Sequence, residues 1–329
     1  MAGTARPPVL RVEGLDVAIR DRPPVPVVRG MAFAVAAGET LAIVGESGCG
    51  KSMTALALLG LEPDAAIVER GVVEVEGVDL RRLSQARRED MRGNRIAMIF
   101  QEPLSALNPV MTIGDQIAEA LRRHRSLSRA QARARAAELL DMVRIPDPAR
   151  RADAFPHQLS GGMRQRAMIA LALACEPAVL VADEPTTALD VTIQAQVLDL
   201  IRDLQRRMGT ALVLITHDLG VVAEMADRVV VMYAGRCVEE APAEALFDRP
   251  RHPYTAALMR ATPHLRDVAA GEGALQEIAG AVPAPWDMPR GCAFAPRCAQ
   301  AMARCATDAP PLATRAPGHR AACWLDADV

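Results

Sequence analysis

An α/β fold is expected from this sequence on three grounds. Short apolar runs of strand length recur along the chain, at Thr40–Val44 (TLAIV), Ile96–Phe100 and Ala211–Thr216 (ALVLIT), with stretches of helical composition elsewhere. The first of these runs enters a glycine-rich loop that leads into Ser52–Leu61 (SMTALALLGL), whose residues favour a helix. A further apolar run, AVLVADEP (Ala178–Pro185), ends in two adjacent carboxylates. Half of the 329 residues are apolar, enough to bury one substantial core and a small appended module.

Charge narrows the function. A formal net charge of -2 and a pI near 6.3 argue against a dedicated nucleic-acid binder. No apolar run reaches the roughly 18 to 20 residues needed to cross a bilayer, and the start, MAGTARPPVL, lacks a charged segment followed by an apolar one. A cytosolic chain is therefore expected, anchored by other subunits if it works at a membrane.

Of the 38 Lys and Arg side chains, only Lys51 is a lysine. An ammonium is a compact charge that fits among phosphate oxygens where the wider guanidinium fork does not, so chemistry is expected to dictate this position. Lys51 lies in GESGCGKS (Gly45, Glu46, Ser47, Gly48, Cys49, Gly50, Lys51, Ser52), which matches G-x-x-x-x-G-K-[ST] between a strand and a helix. Gly45, Gly48 and Gly50 let successive backbone N–H groups turn inward on a β-phosphate, and the helix start adds its partial positive charge. Lys51 is placed to reach the β- and γ-phosphates and the Ser52 hydroxyl to bind Mg²⁺. Cys49 reads as a small residue tolerated at a variable loop position. By itself the motif says P-loop NTPase and leaves kinases, GTPases and many ATPases open. No G-x-G-x-x-G follows a strand, which excludes dinucleotide binding.

Two further segments carry chemistry. In LSGGMRQR (Leu159–Arg166), Ser160, Gly161 and Gly162 form a second potential anion-binding helix start before the apolar AMIALALA. At the end of AVLVADEP, Asp183 is placed to hold Mg²⁺ through its water shell, and Glu184 to orient or deprotonate an attacking water. Two adjacent acids at a strand end are costly unless a cation is near.

With the phosphate loop, these segments resemble the ABC transporter ATPases, LSGGMRQR being close to the signature of that family. The resemblance implies a P-loop NTPase ABC cassette, with a RecA-like core, an antiparallel β subdomain and a helical signature subdomain. It implies that His217, after the strand Ala211–Thr216, contacts the γ-phosphate, and that Gln101, after Ile96–Phe100, is the Q-loop residue, whose amide touches Mg²⁺ or water when ATP is bound and which reports to membrane subunits. It also implies that Ala188, Leu189 and Asp190 form the loop that crosses to a partner; Asp190 equally reads as the N-cap of VTIQAQVLDLIRDL. Nucleotide would be sandwiched in a head-to-tail dimer, between the Walker residues of one cassette and the signature of the other. Between Gln101 and Ser160 a helical insertion is expected, with a capping box at Ser128–Gln131 and an apolar stripe of Ala136, Leu139, Leu140 and Val143. One departure concerns adenine, which many ABC cassettes stack on an N-terminal aromatic. Residues 9 to 30 contain none, and Ile19 or Arg20 falls near the expected place.

MIFQEPLSALNPVMTIGDQI (Met98–Ile117), MYAGRCVEEAP (Met232–Pro242) and RHPYTAALM (Arg251–Met259) resemble the oligopeptide and dipeptide import subfamily, its D-type member most closely. The partners implied are a second ABC ATPase of the F type, forming a heterodimer in preference to a homodimer, two transmembrane permease subunits and, indirectly, an extracytoplasmic peptide-binding protein. The place implied is the cytoplasmic face of the bacterial inner membrane. Residues 1–262 are expected to form the cassette, with its helical part at about 103–170, and 263–329 a Cys-rich extension.

In that extension Cys292, Cys298, Cys305 and Cys323 cluster in a segment with little periodicity, which suggests metal ligation more than disulfides. Their spacing is not that of a zinc ribbon; it is similar to the Cys-rich tail of peptide-transport ATPases, which implies a [4Fe–4S] cluster, with zinc or no metal as alternatives. His319 is close enough to act as a ligand, although a solvated loop position is the ordinary expectation. Cys175 and Cys237 read as buried small residues. Competing functions are the same motor with another cargo, such as nickel or glutathione, or a soluble ABC ATPase in DNA repair or translation. The latter usually carries two cassettes or long coiled-coil inserts, neither of which is present here.

Overall fold

The computed structural model describes residues 7–187, 189–261 and 277–325. Its strands are β1 (Pro8–Ile19), β2 (Val25–Ala36), β3 (Thr40–Val44), β4 (Ala66–Val75), β5 (Val78–Asp79), β6 (Ile96–Ile99), β7 (Val179–Asp183), β8 (Ala211–Ile215), β9 (Arg228–Tyr233), β10 (Arg236–Pro242), β11 (Ala313–Ala316) and β12 (His319–Ala321). The chain divides into two compact units. The first holds 35–39, 74–213 and the start of β1; the second holds 11–34, 40–73 and the chain beyond 214.

In the first unit β6 and β7 run parallel, with Ile96 opposite Val179 and Ile99 opposite Ala182. Every residue of both strands is buried, as parallel strands covered on both faces require. The longer helices of this unit are Ile113–His124, Arg129–Met142, Gly161–Leu173 and Val191–Met208; Gly161–Leu173 packs on β6 and the other three on it. Each begins at a side-chain cap: Thr112, Ser128, Ser160 and Asp190 accept from the N–H of Asp115, Gln131, Met163 and Ile193. The expected capping box forms in full, with Gln131 Oε1 accepting from the Ser128 N–H at 2.9 Å. The expected stripe Ala136, Leu139, Leu140 and Val143 is core.

In the second unit β2, β1 and β4 lie side by side in that order, and β11, β12, β10, β9 and β3 in that order form part of a larger sheet. β3 and β9 are parallel, with Leu41 opposite Arg228 and Val44 opposite Val231. β9 and β10 form a hairpin whose turn places Ala234 at φ 47° and Gly235 at φ 82°, the twist that a two-residue antiparallel connection needs. The C-terminal hairpin adds to the same sheet, with Glu239 opposite Ala321 and Glu240 opposite Arg320. Little periodicity was expected after Pro263, yet β11 and β12 form here; three- and four-residue strands are too short to show an alternation.

The core of this unit joins Val44, Val229, Val231, Leu246 and Tyr254 to Phe294 of the C-terminal segment. Both tyrosines of the chain meet Phe294, with centroids 4.6 Å apart for Tyr233–Tyr254, 5.3 Å for Tyr233–Phe294 and 5.4 Å for Tyr254–Phe294. Such tilted and edge-on pairs add about 0.5–1.5 kcal/mol each beyond burial. The segment with little periodicity thus shares the core of the strands before it. The proposed boundary at 262/263 falls outside the described residues.

Candidate active site

The phosphate loop follows β3 directly. A side chain at Gly45 is excluded, because a Cβ there would lie 2.1 Å from the Met232 carbonyl oxygen. Gly50 has φ 102°, and its Cβ would meet the Val27 carbonyl oxygen at 2.6 Å. Both glycines are therefore required by close backbone approach. The helix Lys51–Leu59 starts at Gly50 with no side-chain cap, so its first amides are not satisfied by a cap side chain. Lys51 is buried, and its ammonium donates to the carbonyls of Gly45 at 2.7 Å and Glu46 at 3.0 Å. Cys49 is buried, and burial pushes its thiol pKa up against the opposing pull of Lys51. Ser47, Gly48 and Ser52 are exposed. The Glu46 N–H donates to the Tyr254 hydroxyl at 2.8 Å, and the Glu46 carboxylate takes two bonds from Arg297.

His217 comes two residues after β8 and is exposed. The Thr216 N–H before it donates to the Ile43 carbonyl at 3.3 Å, which sets this strand end beside β3. Asp218 behind it caps the helix Leu219–Met225, accepting from the N–H of Gly220 and Val221. Near the expected adenine position, Ile19 ends β1, and Arg20 Nε donates to the Ala66 carbonyl at 3.1 Å.

In the first unit, buried Asp183 ends β7 and Glu184 follows at φ 45°, a left-handed conformation that costs a non-glycine residue on the order of 1–3 kcal/mol. Gln101 Nε2 donates to Glu184 Oε2 at 3.0 Å, and the Thr187 hydroxyl donates to the same oxygen at 2.8 Å. The structure therefore brings together Gln101 and Glu184, two residues 83 apart in sequence, and adds Thr187. Ser160 caps the helix Gly161–Leu173, and a Cβ on Gly161 would meet nothing within 4 Å, whereas on Gly162 it would meet Ile193 Cγ2 at 3.1 Å. Asp190 accepts from the Ile193 N–H at 2.9 Å. Ala188 lies outside the described residues.

Tyr254 and Arg297 were not expected at the site. Tyr254 lies in RHPYTAALM and Arg297 just before Cys298 of the cysteine cluster, but contacts spanning 208 and 251 residues leave no local pattern.

The four C-terminal cysteines line one narrow pocket of about 20 Å³, and the Cys292 N–H donates to the Cys305 carbonyl at 2.8 Å. Burial first, and then the neighbouring Cys305 and Cys323, push the Cys292 thiol pKa up. Among the described residues, however, no three His, Cys, Asp or Glu side chains form a group that could hold a metal ion. His319 is a correction: it is buried on β12 rather than solvated in a loop, with Nε2 2.7 Å from Glu239 Oε1. Glu239, itself buried, also accepts from the N–H groups of Arg251 and His252, so both of its carboxylate oxygens are hydrogen-bonded. Cys175 is buried as expected; Cys237 is only partly so.

Residues 28–187 match the ABC transporter family, and residues 238–305 match the family described as oligopeptide/dipeptide transporter, C-terminal region. The probable peptide ABC transporter ATP-binding protein y4tR of Sinorhizobium fredii is 56% identical over 301 residues, spanning 91% of this chain and 89% of that one. The oligopeptide transport ATP-binding protein AppD of Bacillus subtilis is 49% identical over 93% of each chain. The dipeptide transport ATP-binding protein DppD of Escherichia coli is 47% identical over 97% of each. Among solved structures, the ATP-binding cassette MJ0796, in a dimeric post-hydrolysis state bound to ADP and Pi, is similar with a TM-score of 0.63 at 26% identity, covering 71% of this chain and 98% of that one. Sequence and fold agree: this chain belongs to the ABC transporter ATPases, among the ATP-binding proteins of peptide transporters.

Proposed function

We propose that this chain binds and hydrolyses ATP to power import of di- and oligopeptides through a bacterial ABC transporter. The observation that carries the reading is the phosphate loop, where backbone contacts forbid side chains at Gly45 and Gly50 and an uncapped helix start follows at once. Lys51 exchanges its two carbonyl bonds for the β- and γ-phosphate oxygens when ATP enters. Ser52 and Asp183 supply the hydroxyl and carboxylate oxygens that suit Mg²⁺. The ion would neutralise charge on the phosphates.

Glu184 holds the attacking water and takes its proton, with Gln101 and Thr187 orienting the carboxylate. His217 steadies the γ-phosphate. Ser160, Gly161 and Gly162 receive the nucleotide bound to a partner cassette, a role supported by the open space over Gly161. Asp190 lies at the crossing to that partner. The assembly read from this is a heterodimer with an F-type ATPase on two permease subunits, fed by an extracytoplasmic peptide-binding protein. No helix among the described residues is long and apolar enough to cross a membrane, so attachment to the cytoplasmic face of the inner membrane would run through the permeases.

The cassette is assigned to residues 1–262, with its helical part at about 103–170, and the Cys-rich extension to 263–329. A [4Fe–4S] cluster on Cys292, Cys298, Cys305 and Cys323 is supported by the chemistry of four thiols lining one pocket. It would require the four sulfurs to close in beyond their present arrangement, in which no three form a metal-holding group. Anaerobic purification followed by iron, sulfide and zinc analysis tests it: four irons per chain are expected, and a metal-free chain with four alkylatable thiols rules the cluster out.

The transport reading is tested in the chain reconstituted with its paired ATPase and permeases in vesicles. ATP-dependent accumulation of a dipeptide or oligopeptide is expected. Accumulation of nickel or glutathione in its place would reassign the cargo, and ATP turnover unaffected by any permease would remove transport.

A further inference from the structure

Glu46, just after the first glycine of the phosphate loop, is held on two sides by the C-terminal part of the chain. Its backbone N–H donates to the Tyr254 hydroxyl at 2.8 Å. Its carboxylate receives both arms of one guanidinium, Arg297 Nη1 to Oε2 at 2.7 Å and Nη2 to Oε1 at 2.9 Å. A two-pronged pair of this kind fixes orientation as well as distance, which a lysine would not do.

Arg297 is itself immobilised. Its side chain is 4% exposed, against 27% for Glu46. Nε donates to the Ala279 carbonyl at 2.9 Å, and Nη2 donates a further bond to the Ile278 carbonyl at 3.0 Å. Nη1 reaches the Tyr233 hydroxyl at 3.4 Å, and the guanidinium carbon lies 5.9 Å and 6.0 Å from the ring centres of Tyr233 and Phe294. The fork is thus aimed before Glu46 meets it, and little freedom is lost on pairing.

On the other side of the same residue, the Glu46 carbonyl accepts from the Lys51 ammonium at 3.0 Å. One residue therefore meets the phosphate-binding lysine through its backbone and the C-terminal segment through its carboxylate. A loop that wraps phosphate with its amides works only in one conformation, and Glu46 is the exposed-side residue of that loop with a buried partner outside it.

We infer that Arg297 is a positioning residue for the phosphate loop: by pinning Glu46 it presets the loop amides and Lys51 for a triphosphate, so that the C-terminal segment is a working part of the nucleotide site. The inference rests on the ATP-binding reading above. Arg297 ends the turn Ala295–Arg297, which Cys292 and Cys298 bracket, so ordering of that turn and ordering of the loop are coupled. Coupling is reciprocal, and nucleotide must in return tighten the turn.

The test uses the full chain with its paired ATPase and permeases, and reads equilibrium binding of a non-hydrolysable Mg·ATP analogue, the KM and kcat for ATP, and hydrogen exchange over residues 292–298. For Arg297→Gln, binding about tenfold weaker is expected, with KM raised and kcat at saturating ATP little changed. Glu46→Gln should weaken binding by a similar factor, and the double variant should be no weaker than either single one. In the wild type, nucleotide should slow exchange over 292–298, and in Arg297→Gln that response should vanish. Arg297→Lys keeps the charge and loses the fork; it is expected to recover only part of the affinity, and it serves if the glutamine variant does not fold.

If Arg297 only anchored the tail, exchange over 292–298 would rise in every variant while the nucleotide affinity stayed within twofold of wild type, and that result overturns the inference. A wild-type chain that fails to bind nucleotide would overturn the ATP-binding reading and this inference with it.

Discussion

The phosphate loop and the Glu184 loop are held by opposite means. The first is built from backbone: two glycines pressed against carbonyls, a buried lysine, and a hydroxyl and a guanidinium from the C-terminal part of the chain. The second is a half-buried acid at φ 45°, whose Oε2 takes bonds from two exposed side chains, Gln101 and Thr187. Bonds to a carboxylate contribute at most about 1.5–3 kcal/mol each, and less where water competes, comparable to the cost of the left-handed backbone they face. The difference separates tasks. Phosphate binding needs a cradle that does not move, whereas the hydrolytic residues must rearrange when nucleotide and partner arrive, and weak exposed bonds allow it.

The change that should break this comparison most sharply is Glu184→Gln. Turnover is expected to fall about a hundred- to ten-thousand-fold while nucleotide affinity is retained and a closed dimer accumulates, read by phosphate release and by size-exclusion chromatography with ATP. Phosphate release at the wild-type rate would remove Glu184 from its role.

Next in size is the core beneath the phosphate loop. Phe294→Ala deletes a buried ring that both tyrosines contact and should cost about 3–5 kcal/mol in denaturant unfolding of the second unit. Denaturation curves unchanged from wild type would show that the tail does not brace that core.

The same unit should also be acid-sensitive. His252 is buried and its Nδ1 accepts from the Tyr254 N–H at 3.0 Å; burial pulls its pKa from 6.5 down to about 4. The unfolded chain therefore binds the proton first, so this contribution is complete above pH 6.5 and is lost as pH falls towards 4. It amounts to on the order of 3 kcal/mol. His252→Asn keeps a cap acceptor without the titration and should flatten the stability profile across that window. An unchanged slope would place the acid sensitivity elsewhere.

The smallest effect is the sharpest probe of the weak half. Thr187→Val removes one donor from Glu184 Oε2 and should lower kcat about fivefold with KM unaltered, equivalent to about 1 kcal/mol. A rise in KM with constant kcat would move Thr187 from orienting the acid to binding nucleotide.

Much of the fold could be read locally. β3, the capping box at Ser128–Gln131, the helix start at Ser160, the cap Asp190, and the stripe from Ala136 to Val143 all lie where short-range pattern puts them, because strand length, caps and helical spacing are local properties. The C-terminal segment resisted the same reading. Its strands are too short for a period, and its one core aromatic, Phe294, stands among cysteines and prolines. A loop position is the ordinary expectation for His319 because the strand it lies on is three residues long and its side-chain partner, Glu239, is 80 residues away.

From sequence alone came the chemistry: a lone lysine in a phosphate loop, the acids Asp183 and Glu184 at a strand end, and the signature and peptide-transport phrases that family comparison bears out. Tertiary structure decided which residues outside those motifs hold them in place. Gln101 on Glu184, and Arg297 and Tyr254 on Glu46, are contacts between segments far apart in the sequence with no shared pattern. Motifs are dictated by the ligand they must touch, and so recur in recognisable form. Supports are dictated only by the space left in a particular packed core, where any side chain of the right shape and charge will serve.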